Sequence, residues 1–355
     1  MSQLAARAGV CKATVSLALR NDPRISTETT QRISKLAAEL GYTRNPVLDE
    51  LMGELRQSRK VGYKRTLALL NAHPKRRAFV DNATIPSWVA GCRNRAAYLG
   101  YTADEFWLHD PELDGPRLRR ILTTRGIRGA IIIGAFGLES IPSRFTELWN
   151  DFACVVTGVR THAPALSFTC VDHHNLVLDA MGEVCRLGYT RPGLVLGRQV
   201  DQVTDGRFTC AMWLAQQTLP TAQRVPPLIS TLADDTAEPE FRAWFDRHRP
   251  DAILTLHTNV STWVVRLGLA VPKDVGLVHL ERNRFTPEWA GMDQHNDVAG
   301  EAAVDMLAGM MQSREIGVPA FPRATLIGAT WISGKSVREQ TPVKPKAVRS
   351  PKKTR

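Results

Sequence analysis

Hydrophobic positions in this chain follow two rhythms. Over roughly the first forty residues they recur at helical spacing in short spans. From about residue 65 onward, short β-branched runs alternate with longer amphipathic spans. In the first region, residues 3–8 read as a short helix stopped by Gly9. Helical spacing resumes over 11–19 with Val15, Ala18 and Leu19 inward, until Asn21-Asp22-Pro23 breaks it. A third helix is predicted from Ser26, its N-cap, to Leu40, with Ile33, Leu36, Ala37 and Leu40 on one face and Gly41 closing it. Only Gly9 and Val10 separate the first two spans, so those helices must cross sharply, which is the helix-turn-helix plan. The outward residues of the second helix, Lys12, Ala13, Thr14, Ser16 and Leu17, are short or polar enough to enter a groove about 12 Å wide.

The second region reads as strand 66–70, helix 86–99, strand 101–107, helix 116–125 and strand 130–133, with 145–150 and 153–157 continuing the alternation. A helix follows Asp172 to about Leu187. Then come a strand at 193–196, a helix over 206–219 and a strand near Leu228. The spans 241–247 and 251–256, then 261–267 and 275–280, repeat the pattern, and a last helix covers 298–311. About eight or nine near-continuous apolar strands separated by helices predict parallel sheets covered on both faces, in two doubly wound α/β lobes. A closed (β/α)₈ barrel is the rival. Two lobes place a cleft at the carboxyl ends of the strands.

Composition narrows the class. The 355 residues are 43% apolar and 23% charged, enough for two or three folded domains. No apolar run reaches about eighteen residues, so no membrane span is expected, and the first ten residues lack a secretory pattern. The net charge of +11 is uneven: +4 over residues 1–60, +6 over 341–355 and only +1 between them. Basic ends on a nearly neutral body suggest a polyanion partner. The Pro-rich tail 341–355 has no apolar period and is expected to be disordered. Six scattered cysteines suggest buried, reduced thiols of a cytoplasmic protein. His173-His174 and His109-Asp110 lack a third ligand at set spacing, so solvated loop histidines are expected and no metal. Neither G-x-S-x-G, G-x-x-x-x-G-K-[ST] nor G-x-G-x-x-G occurs, and no cofactor or enzymatic reaction is expected.

The runs A-A-R-A-G-V-C-K-A-T-V-S-L-A-L-R-N (5–21), I-S-T-E-T (25–29) and E-L-G-Y-T-R-N (39–45) resemble the DNA-binding headpiece of the LacI/GalR family of transcriptional regulators. The resemblance implies that Lys12, Ala13 and Leu17 face bases, while Thr14, Ser16, Ser26, Thr29, Tyr42 and Asn45 meet phosphates. An Ala and a Leu at base-facing positions favour thymine methyl groups, and Lys12 suits guanine. Residues 45–51 resemble the family's hinge helix, with Asn45 as cap, Pro46 in the first turn and Leu51 as the minor-groove wedge. Asp49 and Glu50 depart from the basic or small residues usual there, and Arg44 from a common proline.

More faintly, D-H-H-N (172–175), L-G-Y-T-R-P (187–192), R-P-D-A-I-L (249–254), P-K-D-V-G-L-V (272–278) and Q-H-N-D-V-A-G-E-A-A-V (294–304) resemble the family's effector-binding core, related to periplasmic sugar-binding proteins. By that resemblance Arg207, His257, Glu281 and Gln294 contact the effector, with Arg207 and Glu281 gripping vicinal hydroxyls. Apart from it, Trp88, near the start of the first lobe's first helix, is a candidate to stack on a sugar ring, while most of the eight tryptophans are expected in the core. The implied organisation is a headpiece over 1–44, a hinge and linker over 45–60, a two-lobed effector-binding and dimerisation domain over 61–340, and the basic tail. The expected function is a cytoplasmic, dimeric repressor of a pseudo-palindromic operator, controlled by a small, sugar-like molecule. A solute-binding protein without a DNA role is the alternative.

Overall fold

Residues 5, 7–19, 25–39, 65–137, 141–231 and 237–340 are described in the computed structural model. The chain divides into two compact units, Met1–Tyr63 and Lys64–Arg355. The hinge over 45–60 and the tail over 341–355 lie outside the described residues.

In the smaller unit, Ala5, Arg7 and Ala8 are helical and Gly9 takes φ +66°. The Val10 amide donates to the Ala5 carbonyl at 3.1 Å. That closure needs a left-handed residue, which glycine supplies at no steric cost, and it turns the chain within two residues. Helix α1 (Lys12–Ala18) follows, then α2 (Thr27–Glu39). Ser26 Oγ accepts the Thr29 amide at 3.3 Å, the N-cap expected of it. Ala5, Ala8, Val15, Ala18, Ile33 and Ala37 form the buried core, with Leu19 and Leu36 packed at its edge.

The larger unit holds two six-stranded sheets. The first contains β1 (Arg65–Asn71), β2 (Tyr101–Trp107), β3 (Gly129–Ile133), β4 (Ala153–Thr157), β5 (Ser167–Val171) and β11 (Ala324–Ile327), in the order β11-β5-β4-β3-β1-β2, all parallel. The second contains β6 (Pro192–Gly197), β7 (Leu228–Ser230), β8 (Ala252–Thr255), β9 (Gly276–His279), β10 (Ala290–Asp293) and β12 (Thr330–Ile332). Its order is β12-β10-β9-β8-β6-β7, parallel except for β12.

Alternate residues of the first sheet enter separate cores. Leu70, Ile132 and Val156 pack under α5 (Gly115–Thr124) and the 3-10 helix Ser143–Asn150. Leu69, Ile131 and Val155 pack under α4 (Ile85–Tyr98) and α11 (Asn296–Gln312), beside the short α3 (Ala78–Asp81). The second sheet is covered by α6 (His173–Arg186), α7 (Arg198–Val203) and α8 (Arg207–Gln216) on one face, and by α9 (Glu238–His248) and α10 (Asn259–Arg266) on the other. Both sheets are open, which removes the barrel.

The chain passes between lobes after β5, β10 and β11. Strands β5, β10, β11 and β12 were not anticipated. Ser167 and Thr169 interrupt the apolar run of β5, and the other three are short or half-exposed. The helix expected over 206–219 is α8, and an unanticipated short helix, α7, precedes it, separated by the left-handed φ values of Asp205 and Gly206, 55° and 66°. Cysteine burial is also mixed: Cys92, Cys154 and Cys170 are buried, but Cys11 and Cys210 are exposed. Burial pushes the Cys92 and Cys154 thiols up to about 12. Among the described residues no helix is long and apolar enough to cross a membrane.

Candidate functional site

In the smaller unit, Val15 and Ala18 anchor one side of α1 with no exposure. Thr14 and Leu17, on the same helix, stay partly exposed. Lys12, Ala13 and Ser16 belong to this helix too. Ser26 and Thr29 stand together at the start of α2, their hydroxyls 2.9 Å apart. Tyr42, Asn45 and Leu51, with Asp49 and Glu50, lie outside the described residues.

The larger unit contains a cavity of about 540 Å³ between its two sheets. Much of its lining stands just past the carboxyl ends of strands. His73 follows β1, Phe136 follows β3, Gly158 follows β4 and His173 follows β5. From the second lobe, Gln199 follows β6, His257 follows β8, Glu281 follows β9 and Gln294 follows β10. This is where doubly wound sheets bind ligands, because loops diverge there and leave space.

Three of the four expected effector residues, His257, Glu281 and Gln294, line this cavity. Arg207 does not. It opens α8 as expected, but its guanidinium lies 5.6 Å from the Phe168 ring centroid and 3.4 Å from an Asp205 carboxylate oxygen, with Cys170 Sγ at 3.5 Å. The Arg–carboxylate grip on vicinal hydroxyls is therefore absent from the lining.

Glu281 instead joins the lobes. Its Oε1 accepts the Thr84 hydroxyl at 2.5 Å and the Asn296 side-chain amide at 3.1 Å. Thr84 immediately precedes α4 and Asn296 begins α11, both on the first lobe. The Trp88 indole N–H donates to Asn296 Oδ1 at 2.9 Å and so sets the direction of that amide. Oε2 of Glu281 takes no protein hydrogen bond among the described residues. Burial pushes the carboxyl up to about 7, against the opposing effect of the Thr84 and Asn296 hydrogen bonds.

The close approach of α4 and α11 makes this network possible. A Cβ on Gly91 would lie 1.9 Å from the Asp297 carbonyl oxygen, and one on Gly300 would lie 2.2 Å from that of Trp88. Likewise a Cβ on Gly158 would meet the Trp88 indole at 2.4 Å. The first lobe adds two further links: the Phe136 carbonyl accepts the Gln199 amide at 3.1 Å, and His162 Nε2 lies 2.9 Å from Asp205 Oδ1.

Four histidines line the cavity, His73, His173, His257 and His279, and burial is the first cause holding each below the usual imidazole range. His173 is lowered to about 3, with Arg207 nearby adding to the effect, and His257 and His279 to about 4. His257 Nε2 accepts the Gly197 amide at 2.9 Å, so its ring proton sits on Nδ1. His73 Nδ1 accepts the Lys75 amide at 2.9 Å, which puts the proton on Nε2. His173 corrects the expectation of a solvated loop histidine: it is the first residue of α6, only 6% exposed, against Phe208 at 4.9 Å, with Nδ1 unpartnered. Among the described residues no three His, Cys, Asp or Glu side chains group to hold a metal ion. Trp88 is 4% exposed and serves both the core and the cavity wall.

His73, Phe136, Gln199, Phe208 and Phe285 also line the cavity without having been singled out in the sequence. The available signal was their place just past strand ends or at a helix start, which residue type alone does not reveal.

A family model described as bacterial regulatory proteins, lacI family, matches residues 1–45, and one described as a periplasmic binding protein-like domain matches residues 182–337. No curated protein matches the chain. Among solved structures, the chain is similar to a transcriptional regulator CelR–cellobiose complex, with 16% identity, 94% of this chain and 98% of that chain covered and a TM-score of 0.56. It is similar to the lac repressor dimer bound to operator and the anti-inducer ONPF, at 16% identity, the same coverages and a TM-score of 0.57. A LacI family transcriptional regulator from Enterococcus faecium with bound ribose gives 14% identity, 78% and 100% coverage and a TM-score of 0.54. These likenesses carry the two-lobed fold, and the family models carry the headpiece and the binding domain. The chain belongs to the LacI family of bacterial regulatory proteins, DNA-binding transcriptional regulators with an effector-binding domain.

Proposed function

We propose that the chain is a cytoplasmic repressor that binds a pseudo-palindromic operator as a homodimer and answers to a small, sugar-like molecule held in the cavity of the larger unit. The headpiece over 1–44 reads the major groove, with Lys12, Ala13 and Leu17 toward bases and Thr14, Ser16, Ser26, Thr29, Tyr42 and Asn45 toward phosphates. Leu51 of the hinge wedges the minor groove. The core over 61–340 carries the effector and the dimer contacts, and the +6 tail adds sequence-independent attraction to phosphates. No catalytic step is assigned to any residue.

One observation carries the regulatory part of this reading. Glu281 lines the cavity and is hydrogen-bonded to both Thr84 and Asn296 of the other lobe. A ligand that engages Glu281 therefore acts on the group that links the lobes, and its differential affinity for the two lobe arrangements is what shifts DNA affinity. Cellobiose and ribose in the solved structures support a carbohydrate-like effector.

The test is fluorescence anisotropy of the full chain on its own upstream region, with and without sugars. Lys12→Ala is expected to weaken operator binding and relax preference at one base pair, at a cost of about 1–3 kcal/mol. Glu281→Ala is expected to keep operator binding and lose the effector response. Equal capture of random and upstream DNA, or a normal response in Glu281→Ala, overturns the reading.

A further inference from the structure

The shape and chemistry of the cavity define its ligand further, an inference that rests on the proposed effector role. We propose that the effector is an uncharged molecule joining an aromatic ring to a hydroxylated unit, as in an aryl glycoside or a nucleoside, and that phosphorylated and carboxylated sugars are excluded.

Charge comes first. Among the described residues no Lys or Arg lines the cavity. Arg198, Arg207, Arg282 and Arg284, each next to a lining residue in sequence, are engaged by the protein: Arg207 against Phe168 and beside Asp205, Arg198 on the Ile229 carbonyl, Arg282 on the Trp289 and Pro287 carbonyls, and Arg284 over the Phe285 ring. An anionic group would meet no cation among the described lining residues and would face the Glu281 carboxyl, so little would offset its desolvation.

Three polar groups of the lining have a single free direction each. Glu281 offers one oxygen, Oε2, because Oε1 is taken by Thr84 and Asn296. His257 offers Nδ1–H and His73 offers Nε2–H, since the opposite nitrogen of each ring accepts a backbone amide. Two other polar side chains of the lining donate to the loops: Asn283 Nδ2 to the Glu281 carbonyl and Gln294 Nε2 to the Leu280 carbonyl. Glu281 Oε2, His257 Nδ1–H and His73 Nε2–H, with the unpartnered His173 Nδ1 also in the lining, suit one hydroxylated unit.

The rest of the wall is ring-bearing. On the first lobe Phe136 lies 5.6 Å from Trp88 and 6.2 Å from His73, centroid to centroid. On the second lobe Phe208 lies 4.9 Å from His173, and Phe285 is 58% exposed beside the polar groups. Rings from both lobes around a space of about 540 Å³ match an apolar, ring-bearing ligand part, and aromatic pairs contribute beyond the area they bury. The polar and ring-bearing sets come from different loops, so the matching ligand has both parts.

Isothermal titration of the full chain tests this with phenyl glycosides of common hexoses and pentoses, the corresponding free sugars and their phosphates, and the four ribonucleosides with their 5′-monophosphates. At least one phenyl glycoside or nucleoside is expected to bind about tenfold more tightly than its free sugar, with no detectable binding of any phosphate. The two arms decide which source of the shared chemistry applies. Phe285→Ala and Phe136→Leu are expected to weaken the ring-bearing ligand at least about fivefold and leave the free sugar unchanged. Phe285 is exposed enough that its loss does not threaten folding. A free sugar or a phosphate binding as tightly as every ring-bearing probe overturns the proposal, as does failure of all ring-bearing probes. A tightly bound ring-bearing probe without effect on operator binding overturns the regulatory reading instead and leaves the ligand class standing.

Discussion

In the headpiece, the residues that hold α1 in place and those it presents outward interleave along seven consecutive positions, Lys12–Ala18. In the larger unit, the cavity takes its lining from the ends of eight strands, between His73 and Gln294. The headpiece core consists of four alanines, one valine and one isoleucine. The larger unit buries Trp149, Trp263, Phe145, Phe208 and Phe241 almost completely. A small core with local geometry makes a helix whose inward positions follow from helical period. A large core with two sheets makes a cavity whose chemistry follows from topology. The first is easily destroyed and simply read; the second is robust and hard to read.

The sharpest way to break that contrast is Val15→Asp. It puts an unpaired carboxylate in a core with no polar partner, which costs more than so small a core supplies. Operator binding is expected to fall by at least about a hundredfold while ligand titration and the main thermal transition stay unchanged. Loss of ligand binding as well would mean that the two units do not fold independently.

Acidification is expected to act on the larger unit. His173, His257 and His279 are held below the unfolded value near 6.5, so their stabilisation is present above it and is lost as pH falls toward about 3 to 4. By about pH 5 each contributes a loss on the order of 2 kcal/mol. Glu281 has the opposite sign. Its pKa is raised from 4.5 to about 7, so its term is full below 4.5 and lost as pH rises through 7. Chemical unfolding of the larger unit from pH 8 to 5 is expected to show a net fall in stability, steeper in Glu281→Gln. An acid-stable protein would mean that the cavity histidines are not desolvated.

Gly300→Ala gives the smallest effect and the finest test. Its Cβ meets the Trp88 backbone rather than a movable side chain, so α4 and α11 must separate at a cost of about 1–3 kcal/mol. The main thermal transition is expected to drop by roughly 2–4 °C per kcal/mol, with the lobe link at Glu281 weakened and operator binding at low temperature retained. An unchanged melting temperature would show that the helix contact tolerates a methyl group.

Much of the headpiece was legible because its signals are local. Gly9 marked the turn, Ser26 the cap, and Val15, Ala18, Ile33 and Ala37 the inward face, and each stands where the pattern put it. In the larger unit, the continuous apolar strands announced two covered parallel sheets, but Ser167 and Thr169 concealed β5, and the short, half-exposed β11 and β12 had no periodicity to read. His257, Glu281 and Gln294 were placed by resemblance and line the cavity; Arg207 was placed the same way and does not.

The amino-acid order alone determined the helices of the headpiece, the parallel character of the core and the sites of its strand ends, because period, capping and turn chemistry act over a few residues. Tertiary structure decided which strand ends converge, that Glu281 meets Thr84 and Asn296 across the lobes, that Arg207 turns to Phe168, and that burial holds four histidines below the usual imidazole range. Those outcomes depend on desolvation and on contacts between residues far apart in the chain, quantities that exist only after the two sheets have packed.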